Sequence, residues 1–176
     1  MFSAMFKKSK STDFPLECRA MYYFAKGRHA HQERKGSGMP YFVHPRGVAW
    51  LVKRYGGTTV QINAAFGHDL LEDTETSFEE IAVVSGNEAV AELVLELTNN
   101  RHIIDEVGKT EYMTEKLCSL SKDALLIKLA DMVYNSYDQP KETALNRMYH
   151  NVCEMLLRRE DIPQPCKELA QLVILA

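Results

Sequence analysis

No hydrophobic run in this sequence is long enough to cross a membrane. The longest apolar stretches, such as Ala49-Trp50-Leu51-Val52 and Leu172-Val173-Ile174-Leu175-Ala176, fall far short of the ~18–20 residues that a spanning helix needs. Charge of one sign is also missing. The chain carries 21 Lys and Arg against 24 Asp and Glu, a net −3, which argues against broad nucleic-acid binding and leaves room only for a local basic pocket. Glycine (9) and proline (6) are too sparse for a collagen-like or low-complexity chain. There is no internal repeat, and no two-residue hairpin signal joins alternating strands. The N-terminal MFSAMFKKSKSTD is basic but lacks an apolar h-region, so it reads as a frayed arm over residues 1–12 rather than a secretory signal. The four cysteines, Cys18, Cys118, Cys153 and Cys166, form no CxxC pair. That pattern fits reduced thiols of a cytoplasmic protein.

What is present is an ordinary globular balance: 45% hydrophobic and 26% charged residues in 176. A chain of this length buries roughly 70% of its unfolded surface, so one domain over residues 13–176 is expected. The apolar period is helical almost throughout. Asp13 can cap a helix over 16–32, with Pro15 in its first turn. Lys35-Gly36-Ser37-Gly38 and Pro40 make a turn. Pro45 suits the first position of a helix over 46–55, which stops at Gly56-Gly57. Further helices are expected over 60–71, from the Ser77/Glu80 capping box to Gly86, and from Asn87 to Leu97. The polar stretch 99–108 reads as the longest loop. Helical pattern resumes near Thr110, over 123–137, over 142–159, and in a last helix after Pro163 and Pro165. The expected fold is all-α, with about eight or nine helices.

Three constellations could carry chemistry. In His68-Asp69-Leu70-Leu71-Glu72-Asp73, residues four apart share a helical edge, so His68 lies over Glu72 and Asp69 over Asp73. An exposed acidic helix end would look similar, but Ala64-Ala65-Phe66 and Leu70-Leu71 surround this cluster with apolar residues. In the second, Asp131 sits in Leu126–Asn135, a segment apolar over most of its circumference. A buried carboxylate there needs a cation, either a metal or Lys128, and Asn135 lies one turn on. The third is Tyr41-Phe42-Val43-His44-Pro45, where His44 either caps the following helix or offers its imidazole to the core. Two imidazoles and two carboxylates, from His44, His68, Asp69 and Asp131, suit an octahedral ion such as Mn²⁺ or Fe²⁺ better than a closed tetrahedral zinc site.

Those residues, in that order, resemble the HD metal-dependent phosphohydrolase superfamily. The flanking residues narrow the likeness. His29-x-x-Gln32-x-Arg34-Lys35, Pro40-Tyr41-x-x-His44-Pro45, His68-Asp69-x-x-Glu72-Asp73-Thr74, Lys128-Leu129-Ala130-Asp131 and Asn135 are similar to the hydrolase domain of the RelA/SpoT family, as a stand-alone small alarmone hydrolase. The likeness runs from about Leu16 to Asp138. It implies removal of the 3′-pyrophosphate from ppGpp and pppGpp. It also implies one Mn²⁺ on His44, His68, Asp69 and Asp131, with Glu72 and Asp73 activating the attacking water. Arg34, Lys35, Tyr41, Lys128 and Asn135 are implied to face the nucleotide. Arg101, in the expected loop, would lie near the phosphates.

Two positions depart from that pattern. Tyr137 stands where the family usually has Arg, and Phe66-Gly67 where it tends to have Leu-Leu. Tyr137 is about 200° around the helix from Asn135 at ~100° per residue, so it reaches a ligand only if the helix ends or bends near Ser136. Gly67 costs a helix about 1 kcal/mol and either admits a close neighbour or is simply tolerated. Two other readings remain: an HD phosphohydrolase acting on ppApp or NADPH, and a non-catalytic nucleotide-sensing module. The intact acidic pair Glu72-Asp73 argues against the sensor, which has no water to activate. A small-molecule nucleotide is the expected partner, with no nucleic acid and no membrane, and self-association is left open. His31, His102 and His150 are expected at the surface.

Overall fold

The computed structural model describes residues 10–35, 37–138 and 143–176. Residues 1–9 of the expected arm, Gly36 of the expected turn, and residues 139–142 lie outside them. Eleven α-helices occur among the described residues, nine of them eight residues or longer. Among the described residues there is no strand beyond one antiparallel bridge between Glu33 and Pro40. The all-α expectation holds. The chain divides into two compact units between Thr98 and Asn99.

The first unit holds α1 (Arg19–Arg28), α2 (Val43–Arg54), α3 (Thr59–Gly67), α4 (Leu70–Asp73), α5 (Phe78–Ser85) and α6 (Glu88–Leu97). Their ends are written in local chemistry. The Thr58 hydroxyl accepts from Gln61 N while the Gln61 side chain accepts from Thr58 N, a reciprocal cap for α3. Ser77 and Glu80 do the same for α5. Gly86 ends α5 at φ 66°, a left-handed conformation that glycine adopts without a Cβ clash. Asn87 Oδ1 then caps α6 through Ala89 N. Helix α3 is buried from Gln61 to Gly67 and packs on α1, α2 and α6. Phe66 meets Phe14 and Tyr22 edge-on, at centroid distances of 4.9 and 5.4 Å, and stacks on Phe42 at 6.3 Å. Each such ring contributes about 1.5–3 kcal/mol by burial. Together they fix the start of α2 against the end of α3.

Three boundaries differ from expectation. Asp13 accepts from Lys10 N at 2.6 Å and closes its own short 3₁₀ turn. A second 3₁₀ turn, Leu16–Cys18, precedes α1, which stops at Arg28. Helix α2 begins at Val43, so Pro45 is its third residue, where a missing N–H still costs no intrahelical bond. The helix expected over 60–71 is two helices, α3 and α4, interrupted at His68 and Asp69.

The second unit holds α7 (Arg101–Val107), α8 (Lys109–Ser119), α9 (Lys122–Asp138), α10 (Ala144–Leu156) and α11 (Gln164–Leu175). Helices α9 and α10 both pack on α11. The expected loop at 99–108 is a helix instead: Asn100 Oδ1 accepts from His102 N and Ile103 N, a cap strong enough to start α7. Arg101 therefore stands exposed in a first helical turn. All four cysteines are free thiols, with only Cys118 exposed.

Candidate metal and phosphohydrolase site

The break between α3 and α4 builds the site in the first unit. His44, in the first turn of α2, points Nε2 at His68 Nε2 at 3.1 Å. It makes no cap for its helix, so the capping reading of His44 fails. Asp69 Oδ2 lies 3.4 Å from His44 Nε2 and 3.2 Å from His68 Nε2. These are the three side chains among the described residues whose ligand atoms cluster tightly enough for one metal ion. His44 and His68 are buried and Asp69 is half-buried.

The donor set fits a cation on two grounds. His68 Nδ1 lies 2.8 Å from the Ala65 carbonyl oxygen. A carbonyl can only accept, so Nδ1 carries the proton and Nε2 of the neutral ring presents a lone pair to the cluster. A triangle with edges of 3.1–3.4 Å is also small enough for one ion to reach every corner at the ~2.0–2.2 Å of first-row metal–ligand bonds.

Close packing surrounds the residue just before His68. A Cβ on Gly67 would lie 3.0 Å from Met21 Cε and 3.2 Å from Val94 Cγ2. Glycine here leaves room for Met21 and for Val94 of α6 close to the residue beside His68.

Glu72 and Asp73 follow one turn after His68 and Asp69, with Asp73 N bonded to the Asp69 carbonyl at 2.9 Å. Glu72 is half-buried and Asp73 exposed. The Tyr41 hydroxyl shares its proton between Asp69 Oδ2 at 2.7 Å and Asp73 Oδ2 at 3.0 Å. Burial, then the two carboxylates, push the Tyr41 phenol well above its ordinary pKa, so it stays a donor. The Arg34 guanidinium lies 5.7 Å from the Tyr41 ring centroid, and Lys35 is exposed beside it in the chain.

His29, a residue of the His-x-x-Gln stretch, is buried at 1% exposure. Its ring lies 4.8 Å from that of Tyr41, and its Nδ1 is 2.7 Å from Gln32 Oε1. Burial holds the His29 pKa below the ordinary imidazole value. Its placement in the His-x-x-Gln stretch was the available signal. Its burial was not legible, because the ring it packs on, that of Tyr41, is twelve residues further along the chain.

In the second unit, Asp131 is buried on α9. Lys128 Nζ donates to its Oδ2 at 3.0 Å and Asn135 Nδ2 to its Oδ1 at 2.7 Å. Lys128 is thus one cation that faces Asp131. Helix α9 runs unbroken through Asp138, so Tyr137 stays on the far side from Asn135. The bend that base stacking by Tyr137 requires is absent. His31 and His102 are exposed as expected, and His150 pairs with Glu154 at 3.7 Å near the surface.

The HD-domain family matches residues 21–162. Among curated proteins, the guanosine-3′,5′-bis(diphosphate) 3′-pyrophosphohydrolase MESH1 of Mus musculus is 35% identical over 134 residues, 74% of each chain. Its Xenopus tropicalis counterpart is 37% identical over 118 residues, 65% of each. A guanosine-3′,5′-bis(diphosphate) 3′-pyrophosphohydrolase of Aquifex aeolicus is 37% identical over 128 residues, 68% of this chain but 17% of that protein. A solved structure of a metazoan SpoT orthologue that hydrolyses ppGpp superposes with a TM-score of 0.72, covering 90% of this chain and 95% of that one at 24% identity. At that identity the likeness speaks to the fold.

Proposed function

The chain belongs to the HD-domain family, and from that premise we propose that it removes the 3′-pyrophosphate of guanosine alarmones. Water adds across the bond between the 3′ oxygen and the pyrophosphate, so ppGpp gives GDP and pppGpp gives GTP, each with one pyrophosphate. The observation that carries this reading is the Nε2/Nε2/Oδ2 triangle of His44, His68 and Asp69, with an acidic pair one turn further along the chain. Relatives that carry this activity in their names, matching 74% of both chains, support the same substrate class.

In this reading Mn²⁺ is held by His44, His68 and Asp69, with Asp131 as a fourth ligand. Bound there, the ion lowers the pKa of the attacking water and polarises the phosphoryl oxygen. Glu72 or Asp73 takes the water's proton, a role suited to a carboxylate within hydrogen-bond reach. Arg34 and Lys35 offset the charge of the phosphates, and Asn135 contacts the nucleotide. Arg101, exposed at the start of α7, adds a further positive charge for the phosphates in this reading. No described helix is long and apolar enough to cross a membrane. A cytoplasmic location, where the nucleotide is made and used, agrees with the free thiols.

The test is incubation of purified protein and Mn²⁺ with ppGpp, pppGpp, ppApp and NADPH, with every product identified. GDP or GTP plus pyrophosphate is expected. Turnover of NADPH or ppApp alone, or of none, would overturn the guanosine assignment.

A further inference from the structure

We propose that His29 and Gln32 are positioning residues that hold the Tyr41 hydroxyl across Asp69 and Asp73, and that aligning those two carboxylates, rather than touching substrate, is the role of Tyr41. The inference rests on the metal-site reading above and extends it to residues outside the ligand set.

Hydrogen-bond polarity fixes the direction of every link. Gln32 Nε2 donates to the Asp73 backbone carbonyl at 2.6 Å. The other end of that amide, Oε1, must then accept, and the atom 2.7 Å from it is His29 Nδ1. His29 therefore carries its proton on Nδ1, and its Nε2 is a bare acceptor, buried with no hydrogen-bond partner. A ring buried at 1% exposure with one nitrogen unsatisfied is not placed for its own hydrogen bonding alone. What its position gains is the Tyr41 face, 4.8 Å away at 33°.

Tyr41 is thus pinned three ways. Its backbone N donates to the Gln32 carbonyl at 2.8 Å, its ring rests on His29, and its hydroxyl meets both carboxylates. The links close on themselves: His29 to Gln32, Gln32 to the Asp73 main chain, the Asp73 side chain to Tyr41, and Tyr41 back to His29. One circuit grips Asp73 at both its backbone and its carboxylate. The same hydroxyl meets the Asp69 oxygen that faces both imidazoles, so it also sets the rotation of that carboxylate. A base and a ligand must be held within about 1 Å of their productive places, because a shift of that size costs ~100-fold in rate.

The experiment compares Tyr41→Phe, His29→Phe and the double variant, each checked for fold by circular dichroism and for bound Mn²⁺. Tyr41→Phe removes only the hydroxyl, and His29→Phe keeps the ring but cuts the link to Gln32. The expected result is a fall in kcat of about 10–100-fold for Tyr41→Phe and about 10-fold for His29→Phe, at nearly unchanged KM. The double variant should be no worse than Tyr41→Phe, since the support acts through that hydroxyl. Additive losses, or a raised KM at unchanged kcat in Tyr41→Phe, would overturn the proposal. If His29→Phe fails to fold, Gln32→Met cuts the same circuit and carries the same expectation. A Co²⁺-substituted protein gives a readout that needs no substrate. Its visible bands should shift in Tyr41→Phe and in His29→Phe as Asp69 is released, and unchanged bands in both would sink the idea. A wild-type protein that hydrolyses no alarmone would refute the function while leaving this spectroscopic test intact.

Discussion

Asp69 and Asp131 are the same side chain in opposite settings. Asp69 Oδ2 faces two imidazole nitrogens and a phenol, and with those nitrogens it forms a candidate metal cluster. Asp131 faces the Lys128 ammonium at 3.0 Å on one oxygen and the Asn135 amide on the other. Both lie among apolar helices, where a lone carboxylate costs several kcal/mol. For Asp131, Lys128 on the same helix offsets part of that cost. The cluster around Asp69 is instead one that could take a metal ion. The contrast teaches that an acidic residue in an apolar segment announces a need for positive charge but not its source.

The largest expected effects break the first of these settings. His68→Ala and Asp69→Ala should each lose bound Mn²⁺ and turnover together, measured by metal analysis and product release. Asp131→Ala sharpens the contrast. It should lose the ion and also strand the Lys128 ammonium, lowering stability by about 3–5 kcal/mol. Pairing it with Lys128→Met should restore much of the melting temperature but not the metal. Full metal content in Asp131→Ala would remove Asp131 from the ligand set.

A smaller effect separates holding the ion from using it. Glu72→Gln and Asp73→Asn keep shape and hydrogen bonding but remove the base. Metal content should survive while kcat drops by ~100-fold or more in whichever variant removes the general base. Near-normal turnover in both would move proton acceptance elsewhere. The smallest effect concerns charge: Arg34→Ala and Lys35→Ala should raise KM by about 10-fold, as expected for one lost charge-assisted contact, with kcat lowered less. An unchanged KM in the double variant would remove both from the nucleotide's surroundings.

Local chemistry was legible in the sequence; long-range pairing was not. The Ser77/Glu80 box, Gly86 and the Asn87 cap stand where their residue types put them, because each acts over two to four residues. The site's inner cluster was also readable, since His44, His68 and Asp69 sit in recognisable company. The cap at Asn100 was missed because the polar run around it outweighed one asparagine before Ile103-Ile104. The interruption after Gly67 was missed because residues 60–73 keep a helical period across it. The contacts from Tyr41 to Asp69 and Asp73, 28 and 32 residues apart, leave no periodic trace at all. The pairing of Lys128 with Asp131 stayed open because a lysine three residues away can turn toward the carboxylate or away from it until the side chains are placed.

The distribution of thiols turns the protein into its own stopwatch. Burial pushes Cys18 and Cys166 up to about 11 and Cys153 up to about 12, so near pH 8 only about one in a thousand or fewer of these groups is the reactive thiolate. Cys118 is exposed and takes an alkylating reagent at once. After that first event, further labelling proceeds only as fast as the native packing opens. Cys18 lies in the first compact unit, and Cys153 and Cys166 in the second. Mass spectrometry of the slow phase would therefore clock the breathing of each unit separately, in one tube, without a single engineered residue.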